Sequence, residues 1–211
     1  MSLTLKIDNK IACIVMDDGK VNALDNDWFR TLLNMLDEVE ASDAIALIIT
    51  GREKVFSGGL NIKWLPTMNK RDQVEFSQLF PKTMGRLYHF SKPTIAAISG
   101  HAMAGGCIIA CACDRRLALR GFNLAMNEVL IEMVIPEWII DIVSNAVPKP
   151  FVNDMLSYAE FLSTEKAYEL GVVRELFDDT QEMMGHANTL AESYDKFSPS
   201  AFAGTKAKLR K

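Results

Sequence analysis

The spacing of hydrophobic residues in the first quarter of the chain predicts short strands around one amphipathic helix. Leu3–Ile7 and Ile11–Met16 have strand character and are separated by a polar turn. A helix is predicted from Asp25 or Asn26, because apolar residues recur at helical spacing at Trp28, Leu32, Met35, Leu36 and Val39. The following apolar run, Ala44–Thr50, is continuous and is typical of a buried strand.

The rest of the chain alternates in the same way between predicted helices, strands and glycine turns. Further strands are expected at Thr94–Ser99, Leu117–Leu119, Asn123–Met126 and Val172–Leu176. Helices are predicted at Asp72–Phe90, Gly105–Cys113, Pro136–Ala146, after Pro148 or Pro150, between Ser163 and Gly171, and at Thr180–Tyr194. Pro199 is expected to break the chain before a basic segment, Thr205–Lys211. This alternation indicates an α/β fold.

The composition is that of an ordinary globular protein. Hydrophobic residues make up 49% and charged residues 24% of the 211 positions, which excludes a disordered or collagen-like chain. The formal net charge of −4 argues against a dedicated nucleic-acid binder. The longest apolar run, Ala102–Cys113, falls short of the ~20 residues that span a bilayer. Four cysteines in a chain of this length do not form a disulfide framework, so a cytoplasmic location is expected.

Two glycine-containing turns that follow buried strands are the first candidates for chemistry. One turn lies within Lys54–Lys63 and includes Gly58, and the other lies within Ser99–Cys107 and includes Gly105. Glycine lets the backbone approach a ligand closely, and N–H groups aimed from two such turns can hold a developing oxyanion. Ordinary strand-to-helix turns contain glycine as well, so the spacing alone leaves both interpretations open.

Glu128 is the candidate general base. It lies in an apolar stretch in which Met126, Val129 and Leu130 are expected to surround its carboxylate. Such surroundings remove water from the carboxylate and raise its pKa toward the working range of a base. An exposed glutamate on a half-buried element fits the same pattern.

Neither the cysteines nor the histidine of the second turn predicts a metal site. Cys107, Cys111 and Cys113 are too closely spaced along one helix to surround a single ion, and we interpret them as small buried hydrophobic residues. His101 is interpreted as a structural hydrogen-bonding residue, although its position also allows contact with a ligand. The sequence contains no nucleophile elbow, P-loop or dinucleotide fingerprint, and no metal or cofactor is expected.

Four segments, in the same order along the chain, resemble motifs of the crotonase superfamily, the enoyl-CoA hydratase/isomerase family. Val21-Asn22-Ala23-Leu24 resembles the N-A-[LM] turn, and Lys54–Lys63 resembles the K-x-F-S-x-G-x-D-[IL] segment. Ile95–Cys107 resembles a strand followed by N-G-x-x-x-G-G-G-C, and Leu162–Val173 resembles L-[ST]-x-x-x-A-x-x-x-G-L-V. The resemblance covers most of the chain and implies a spiral of ββα units with a C-terminal helical region.

The resemblance also implies a substrate, an acyl-CoA thioester, and the residues that bind it. The backbone N–H groups of Leu60 and Gly105 would form the oxyanion hole for the thioester oxygen. Leu60 replaces a commoner alanine, a change that a backbone donor tolerates, and Asn61 stands where the family usually has aspartate. The CoA moiety would lie along Val21, Ala23, Gly58, Asn61, Ile62 and Lys63, with Lys63 as a counter-charge.

The carboxylates distinguish the reactions within this family. Hydratases that resemble this chain carry one glutamate directly after G-G-C and a second one further on. Here Ile108 occupies the first position and Glu128 the second. Pro136-Glu137-Trp138 follows at the spacing seen in Δ3,Δ2-enoyl-CoA isomerases. Glu132 replaces the family's usual glycine, and if it is buried beside Glu128 it is expected to perturb the pKa of that residue.

The sequence therefore predicts an enoyl-CoA isomerase with Glu128 as base and the N–H groups of Leu60 and Gly105 as oxyanion donors. The alternatives are an enoyl-CoA hydratase or another thioester-enolate enzyme, and a non-catalytic acyl-CoA-binding homologue. Residues 1–195 are assigned to the spiral core and residues 196–211 to the beginning of the C-terminal helical region, which is shorter than in the family. The resemblance also implies a homotrimer or hexamer, and the net charge and the short apolar runs predict neither a nucleic-acid nor a membrane partner.

Overall fold

The computed structural model describes residues 3–210, in which strands and helices alternate along the chain. The strands are, in chain order, β1 (Leu3–Asp8), β2 (Ile11–Met16), β3 (Ala23–Leu24), β4 (Ala46–Gly51), β5 (Lys54–Ser57), β6 (Gly59–Leu60), β7 (Thr94–Ile98), β8 (Gly100–Met103), β9 (Arg115–Leu119), β10 (Asn123–Ala125), β11 (Leu162–Ser163) and β12 (Glu175–Phe177). The helices are α1 (Asn26–Ala41), α2 (Lys70–Tyr88), α3 (Gly105–Ala112), α4 (Glu137–Ala146), α5 (Lys149–Ser157), α6 (Thr164–Glu169), α7 (Thr180–Glu192) and α8 (Pro199–Leu209). Short 3-10 turns occur at Leu65–Thr67, Glu128–Ile131 and Ser193–Lys196.

A repeated strand–strand–helix unit organises the molecule. The larger sheet has the strand order β1-β2-β4-β7-β9-β12, and the smaller sheet has the order β11-β10-β8-β5. In the successive units β4–β5–α2, β7–β8–α3 and β9–β10–α4, one strand enters each sheet before a helix follows. The neighbouring strands contributed by successive units run parallel. This repetition is the spiral of ββα units that the resemblance implies.

The central strands of the larger sheet are buried on both faces. Every residue of β4 and of β7 is buried. One face packs against residues of α1, α2 and α3, and the other packs against Met183, Ala187 and Ala191 of α7. Covering both faces explains why these strands appear in the sequence as continuous apolar runs. None of the helices within residues 3–210 combines the length and the apolar character needed to cross a membrane.

Helix α1 shows how a local signal becomes structure. The side chain of Asp25 accepts a hydrogen bond from the N–H of Trp28 at 2.9 Å, which satisfies one of the free donors at the start of the helix. The apolar face buries Trp28, Phe29, Leu32, Leu36 and Val39 against the core. The predicted start and the predicted buried face are confirmed, apart from Met35, which is only partly buried.

Three sequence predictions were wrong in their boundaries. Gly100–Met103 forms strand β8 instead of a glycine turn, because it pairs with both β5 and β10. The strand expected at Val172–Leu176 occurs at Glu175–Phe177, where it pairs with β9. Pro199 begins α8 instead of breaking the chain, since proline is tolerated in the first helical turn. The last residue of the predicted basic segment, Lys211, lies outside the described residues.

Candidate active site

The first candidate donor, the N–H of Leu60, lies in the two-residue strand β6. Strand β6 pairs in parallel with β3, and the N–H of Asn61 donates to the carbonyl oxygen of Leu24 at 2.9 Å. Because successive N–H groups of a strand point to opposite sides, the N–H of Leu60 points away from β3. The side chain of Ser57 fixes the preceding turn by donating to Asn22 O at 2.7 Å and accepting from Gly59 N at 3.1 Å.

The second candidate donor, the N–H of Gly105, is at the first residue of α3. N–H groups in the first turn of a helix have no partner within that helix, so this one is available to a ligand. The residue before it, Ala104, has φ 47° and ψ −116°, a conformation that glycine adopts far more readily. Its N–H donates to Ala125 O at 2.7 Å, which holds the turn against β10.

The fold brings these two turns into direct contact. A Cβ atom placed on Gly59 would lie 2.9 Å from the nitrogen of Gly105. A Cβ atom placed on Gly106 would lie 2.4 Å from the carbonyl oxygen of Ser57. Both distances are shorter than real Cβ contacts, so the approach of the two backbones requires glycine at these positions. The structure thus places the Leu60 turn beside the start of α3.

Glu128 lies on the 3-10 turn that follows β10, and it is 8% exposed. Its Oε2 atom is buried and has no hydrogen-bond partner within residues 3–210. Burial raises the pKa of Glu128 above its ordinary value of 4.5, because the ionised carboxylate loses solvation. The pKa of the Cys107 thiol is raised by its hydrogen bond with Cys111, by burial and by the charges of Cys111 and Glu128. The contact between Ala104 and Ala125 holds the end of β10 against the start of α3, and Glu128 follows three residues after Ala125.

One expectation about the surroundings of Glu128 was wrong, and the condition attached to Glu132 is not met. Val129 is 40% exposed and Leu130 is 67% exposed, so these two side chains do not enclose the carboxylate, whereas Met126 is buried as expected. Glu132 is also exposed, and its backbone takes a left-handed conformation with φ 60° at the end of the 3-10 turn. Glycine adopts this conformation without strain, which accounts for the family's usual residue there. Glu132 is therefore not buried beside Glu128.

The segments expected to hold CoA lie next to each other at the surface. The N–H of Gly58 donates to Val21 O at 2.7 Å, and Ala23 pairs with Gly59 in the β3–β6 ladder. Val21 is 55% exposed and Ile62 is 68% exposed, so both offer apolar surface to a ligand.

The remaining CoA candidates, Asn61 and Lys63, belong to the turn that follows β6. The Asn61 side chain accepts from Trp64 N at 3.2 Å, which shows that asparagine stabilises this turn with a side-chain oxygen, as aspartate would. Lys63 is exposed. The substitution of asparagine for aspartate therefore leaves the turn supported.

Sequence reasoning missed the role of Asn22. This residue is buried, has φ 54°, and donates from its side chain to Met16 O at 2.9 Å and to Phe56 O at 3.0 Å. It thereby ties the end of β2 to the strand that precedes the Leu60 turn. The sequence signal for this role was an asparagine inside an otherwise apolar motif. Asparagine tolerates positive φ better than most other residues do, so its presence there indicates a turn.

The structure also places the histidine and cysteines considered above. His101 accepts at Nδ1 from Asn123 N at 3.2 Å, and its ring contacts Phe122 edge-on, so the structural hydrogen bond is confirmed. Cys107, Cys111 and Cys113 are buried free thiols. Within the described range, no group of three potential metal-ligating side chains occurs.

The spiral of ββα units, with two facing backbone turns and a buried carboxylate, defines a protein of the crotonase class. The sequence profile of the family described as enoyl-CoA hydratase/isomerase matches residues 6–211, and the chain belongs to this family. A curated relative, the short-chain-enoyl-CoA hydratase of Clostridium acetobutylicum, is 28% identical over 203 residues, which cover 95% of this chain and 77% of the relative.

Solved structures confirm the fold. The enoyl-CoA isomerase of Mycobacterium tuberculosis is similar with a TM-score of 0.91 at 29% identity, covering 99% of this chain and 91% of that one. An enoyl-CoA hydratase of Mycobacterium ulcerans is similar with a TM-score of 0.91 at 28% identity, covering 100% of this chain and 92% of that one. Because these relatives carry the names of both reactions, family membership establishes an enoyl-CoA hydratase/isomerase family enzyme without distinguishing the two.

Proposed function

We propose that this protein is an enoyl-CoA isomerase that converts 3-enoyl-CoA into 2-enoyl-CoA. The observation that carries the proposal is the pairing of Glu128 with Ile108. Glu128 is a buried carboxylate whose Oε2 has no partner among the described residues, on the turn that follows the contact of β10 with the start of α3. Ile108 lies on α3 and is fully buried. It supplies only apolar surface at the position where a hydratase would carry a second catalytic glutamate. One base is therefore available, and an isomerase needs only one.

In this mechanism Glu128 moves one proton between two carbons of the substrate. The carboxylate takes a proton from C2, and the electron pair of the broken C–H bond forms a dienolate with the thioester and the former C3–C4 double bond. The protonated Glu128 then delivers the proton to C4, which leaves the double bond between C2 and C3. The raised pKa of Glu128 suits both steps, because the group must accept and return a proton near neutral pH.

The N–H groups of Leu60 and Gly105 would stabilise the dienolate. Negative charge builds up on the thioester oxygen only as the C2 proton leaves, so these donors act mainly on the transition state. The N-terminus of α3 adds the favourable end of a helix dipole at the same place. Removal of one such donor typically lowers kcat by about 10²–10³.

The surface next to the Leu60 turn is the proposed CoA site. Val21 and Ile62 would pack against the adenine, since both are exposed apolar side chains on adjacent segments. The exposed ammonium group of Lys63 would neutralise phosphate charge. Gly58 and Ala23 would contribute backbone close to the ligand, because the β3–β6 pairing holds their segments together.

The main alternative is hydration, which the name of the Clostridium acetobutylicum relative favours. Adding water across a double bond requires groups that hold the water and transfer protons at two places. The side chain of Ile108 offers no hydrogen-bonding atom for this purpose. We therefore expect hydration of 2-enoyl-CoA to be slow.

We also propose that the chain assembles as a homotrimer or hexamer. The support is an exposed apolar segment that follows Glu128, in which Leu130 is 67% exposed and Val134 is 91% exposed. Contiguous exposed apolar surface of this kind is typical of protein interfaces. Light scattering after size exclusion measures the number of 23.5 kDa chains in the assembly.

The test compares 3-enoyl-CoA and 2-enoyl-CoA as substrates of the wild type and of Glu128→Gln. The wild type should isomerise 3-enoyl-CoA, and the variant should lose about 10²–10⁴-fold in kcat, as is typical when a general base is removed. Glu132→Gln is the matched control, because this exposed glutamate lies on the same turn and should keep the parent rate.

Three other outcomes of these assays would each lead to a different conclusion. Fast conversion of 2-enoyl-CoA to a 3-hydroxy product, with inert 3-enoyl-CoA, would identify a hydratase. Binding of both esters without turnover would identify a non-catalytic homologue. Isomerisation at the parent rate by Glu128→Gln would show that another residue is the base.

A further inference from the structure

Four aromatic side chains form a continuous line along one side of α2. The ring centroids of Trp64 and Phe76 are 6.1 Å apart, those of Phe76 and Phe80 are 5.5 Å apart, and those of Phe80 and Trp138 are 5.0 Å apart. We call Trp64, Phe76, Phe80 and Trp138 the aromatic row. The other ring that packs against the row, Phe29, stacks on Phe80 at 5.1 Å and supports it from the side of α1.

The ends of the row coincide with the two halves of the proposed active site. Trp64 follows the oxyanion donor Leu60 on the same turn, and Asn61 holds its backbone N–H through both its carbonyl and its side-chain oxygen. Trp138 lies in the first turn of α4, at the end of the segment that begins with Glu128. Helix α3, which begins with Gly105, contacts both α2 and α4. The row therefore runs from the oxyanion turn to the helix that follows the base.

One side of the row is open to a ligand. Trp64, Phe76 and Trp138 are each only half-buried, whereas Phe80 is buried at 8% exposure. Phe29 covers one side of Phe80, and the exposed parts of the other three rings are the surface that a ligand can reach. Aromatic faces and edges are favourable surfaces for a hydrocarbon chain. The end of this surface at Trp64 lies on the turn that follows Leu60.

We propose that the aromatic row is the wall of the acyl site and that the Phe80–Trp138 contact ends this site at a short acyl chain. The substrate class is then short-chain 3-enoyl-CoA, an inference that rests on the proposed function. A methylene chain between two rings needs about 3.5–4.0 Å to the atoms of each ring. The 5.0 Å spacing of the Phe80 and Trp138 centroids leaves no such passage between these two side chains. Longer chains must displace one of these rings or extend into water.

We expect the affinity for acyl-CoA to increase with the length of a short acyl chain and then to stay constant for longer chains. Each methylene that becomes buried strengthens binding about fourfold. The wild type should therefore bind hexanoyl-CoA about tenfold more tightly than butyryl-CoA, and dodecanoyl-CoA no more tightly than hexanoyl-CoA. Binding of an acyl-CoA should change the tryptophan fluorescence more than binding of free CoA does, because Trp64 and Trp138 border the proposed acyl site.

The test measures the binding of butyryl-, hexanoyl-, octanoyl- and dodecanoyl-CoA by calorimetry. Trp138→Ala opens the end of the site and should strengthen dodecanoyl-CoA binding at least tenfold while leaving butyryl-CoA binding within about threefold. Phe80→Leu keeps an apolar side chain at the buried position and should act in the same direction with a smaller effect. Phe197→Ala is the control, since Phe197 stacks on Tyr194 near α8 and away from the row.

These measurements separate the inference from the proposed function. Saturated acyl-CoAs cannot isomerise, so their binding tests the aromatic row whether or not 3-enoyl-CoA is turned over. The inference is overturned if the wild type binds dodecanoyl-CoA best, or if the Trp138 and Phe80 variants follow the same chain-length dependence as Phe197→Ala. If one of the two variants does not fold, the other decides the outcome together with the wild-type series.

Discussion

At the residue scale, Glu128 combines a proposed catalytic role with a cost in stability. Its carboxylate is buried, one of its oxygens has no partner in the described part of the chain, and burial raises its pKa above 4.5. A raised carboxyl pKa means that the folded state prefers the protonated form. The contribution of this group to stability is therefore fully present below its unfolded pKa and is lost as the pH rises through the folded pKa.

Glu128→Gln should consequently become more stable than the wild type as the pH increases. Glutamine carries no charge at any pH, so the two proteins should unfold at similar temperatures near pH 4 and diverge toward pH 8. In a chain of this size, 1 kcal/mol corresponds to a Tm difference of about 2–4 °C. Thermal unfolding across this pH range measures the effect, and Glu132→Gln should show no such divergence because Glu132 is exposed. A constant Tm difference at all pH values would contradict the assigned burial.

Ala104 is the second residue whose local environment costs stability, because its backbone conformation is unfavourable for alanine. It stands at the first of the three consecutive glycines in the family segment and has φ 47° and ψ −116°. A non-glycine residue in such a region is strained by roughly 1–3 kcal/mol.

Ala104→Gly should relieve this strain and raise the free energy of unfolding by about 1 kcal/mol, after the greater flexibility of glycine in the unfolded chain is subtracted. Chemical denaturation measures the change. Ala112→Gly, at a helical and fully buried position of α3, should have the opposite effect. Destabilisation by Ala104→Gly would show that the turn is held in a different conformation.

At the element scale, α3 is stabilised at both ends. Its N-terminus packs against the Leu60 turn without room for a side chain at Gly106. Its C-terminal carbonyl groups are capped by two arginines: Arg116 donates to Cys113 O at 2.8 Å and Arg210 donates to Ala112 O at 2.9 Å. Positive charge at a helix C-terminus is favourable, so these contacts fix the helix that would supply an oxyanion donor.

Gly106→Ala should damage both stability and activity. The added Cβ would lie 2.4 Å from Ser57 O and 2.8 Å from Ser57 Cβ, so α3 must move away from β5. Overpacking of this kind costs about 1–3 kcal/mol, and a shift of about 1 Å between reacting groups can lower the rate 10²-fold. The matched control is Gly185→Ala on α7, where nothing lies within 4 Å and alanine should stabilise the helix by up to about 1 kcal/mol. Denaturation and isomerase assays on both variants test this pair, and equal stabilities would refute the close approach.

At the scale of the whole molecule, the last helix is anchored to the core through a buried charge cluster. Asp114 accepts from Lys206 at 2.8 Å and from Arg210 at 2.8 Å, and Thr94 donates to it at 2.8 Å from its backbone and 2.9 Å from its hydroxyl. Lys206 is 5% and Arg210 is 6% exposed, and Arg210 lies over the ring of Tyr88. One carboxylate thus connects α8 with β7 and with the end of α3.

Asp114→Asn should loosen α8, because it leaves two buried cations without their carboxylate. Breaking a buried ion pair in this way typically costs about 3–5 kcal/mol. Denaturation measures the loss, and limited proteolysis should cut first near residues 196–199. Asp178→Asn removes an exposed partner of Arg120, at 3.5 Å, and should change stability by less than about 1 kcal/mol. Identical proteolysis of the two variants would show that the cluster does not hold the helix.

Much of this protein was determined by local sequence signals. The helical spacing predicted α1, the continuous apolar runs predicted β4 and β7, and the glycine turns indicated where the backbone can be approached closely. These features depend on residues a few positions apart, whose preferences act wherever the segment lies in the fold. Glu128 could be selected for the same reason, as a carboxylate in an apolar stretch, whereas Leu60 and Gly105 were selected through the resemblance of their segments to a known family.

Tertiary structure alone decided what surrounds those residues. Val129 and Leu130 were expected to surround Glu128 but are exposed, because within the 3-10 turn only Glu128 is buried. The aromatic row joins α2 to Trp138, which is distant in sequence, and the Asp114 cluster joins β7 to α8. Whether a residue is buried depends on which distant segments pack against it. These contacts form only when the whole ββα spiral has folded, so neighbouring residues in the sequence do not determine them.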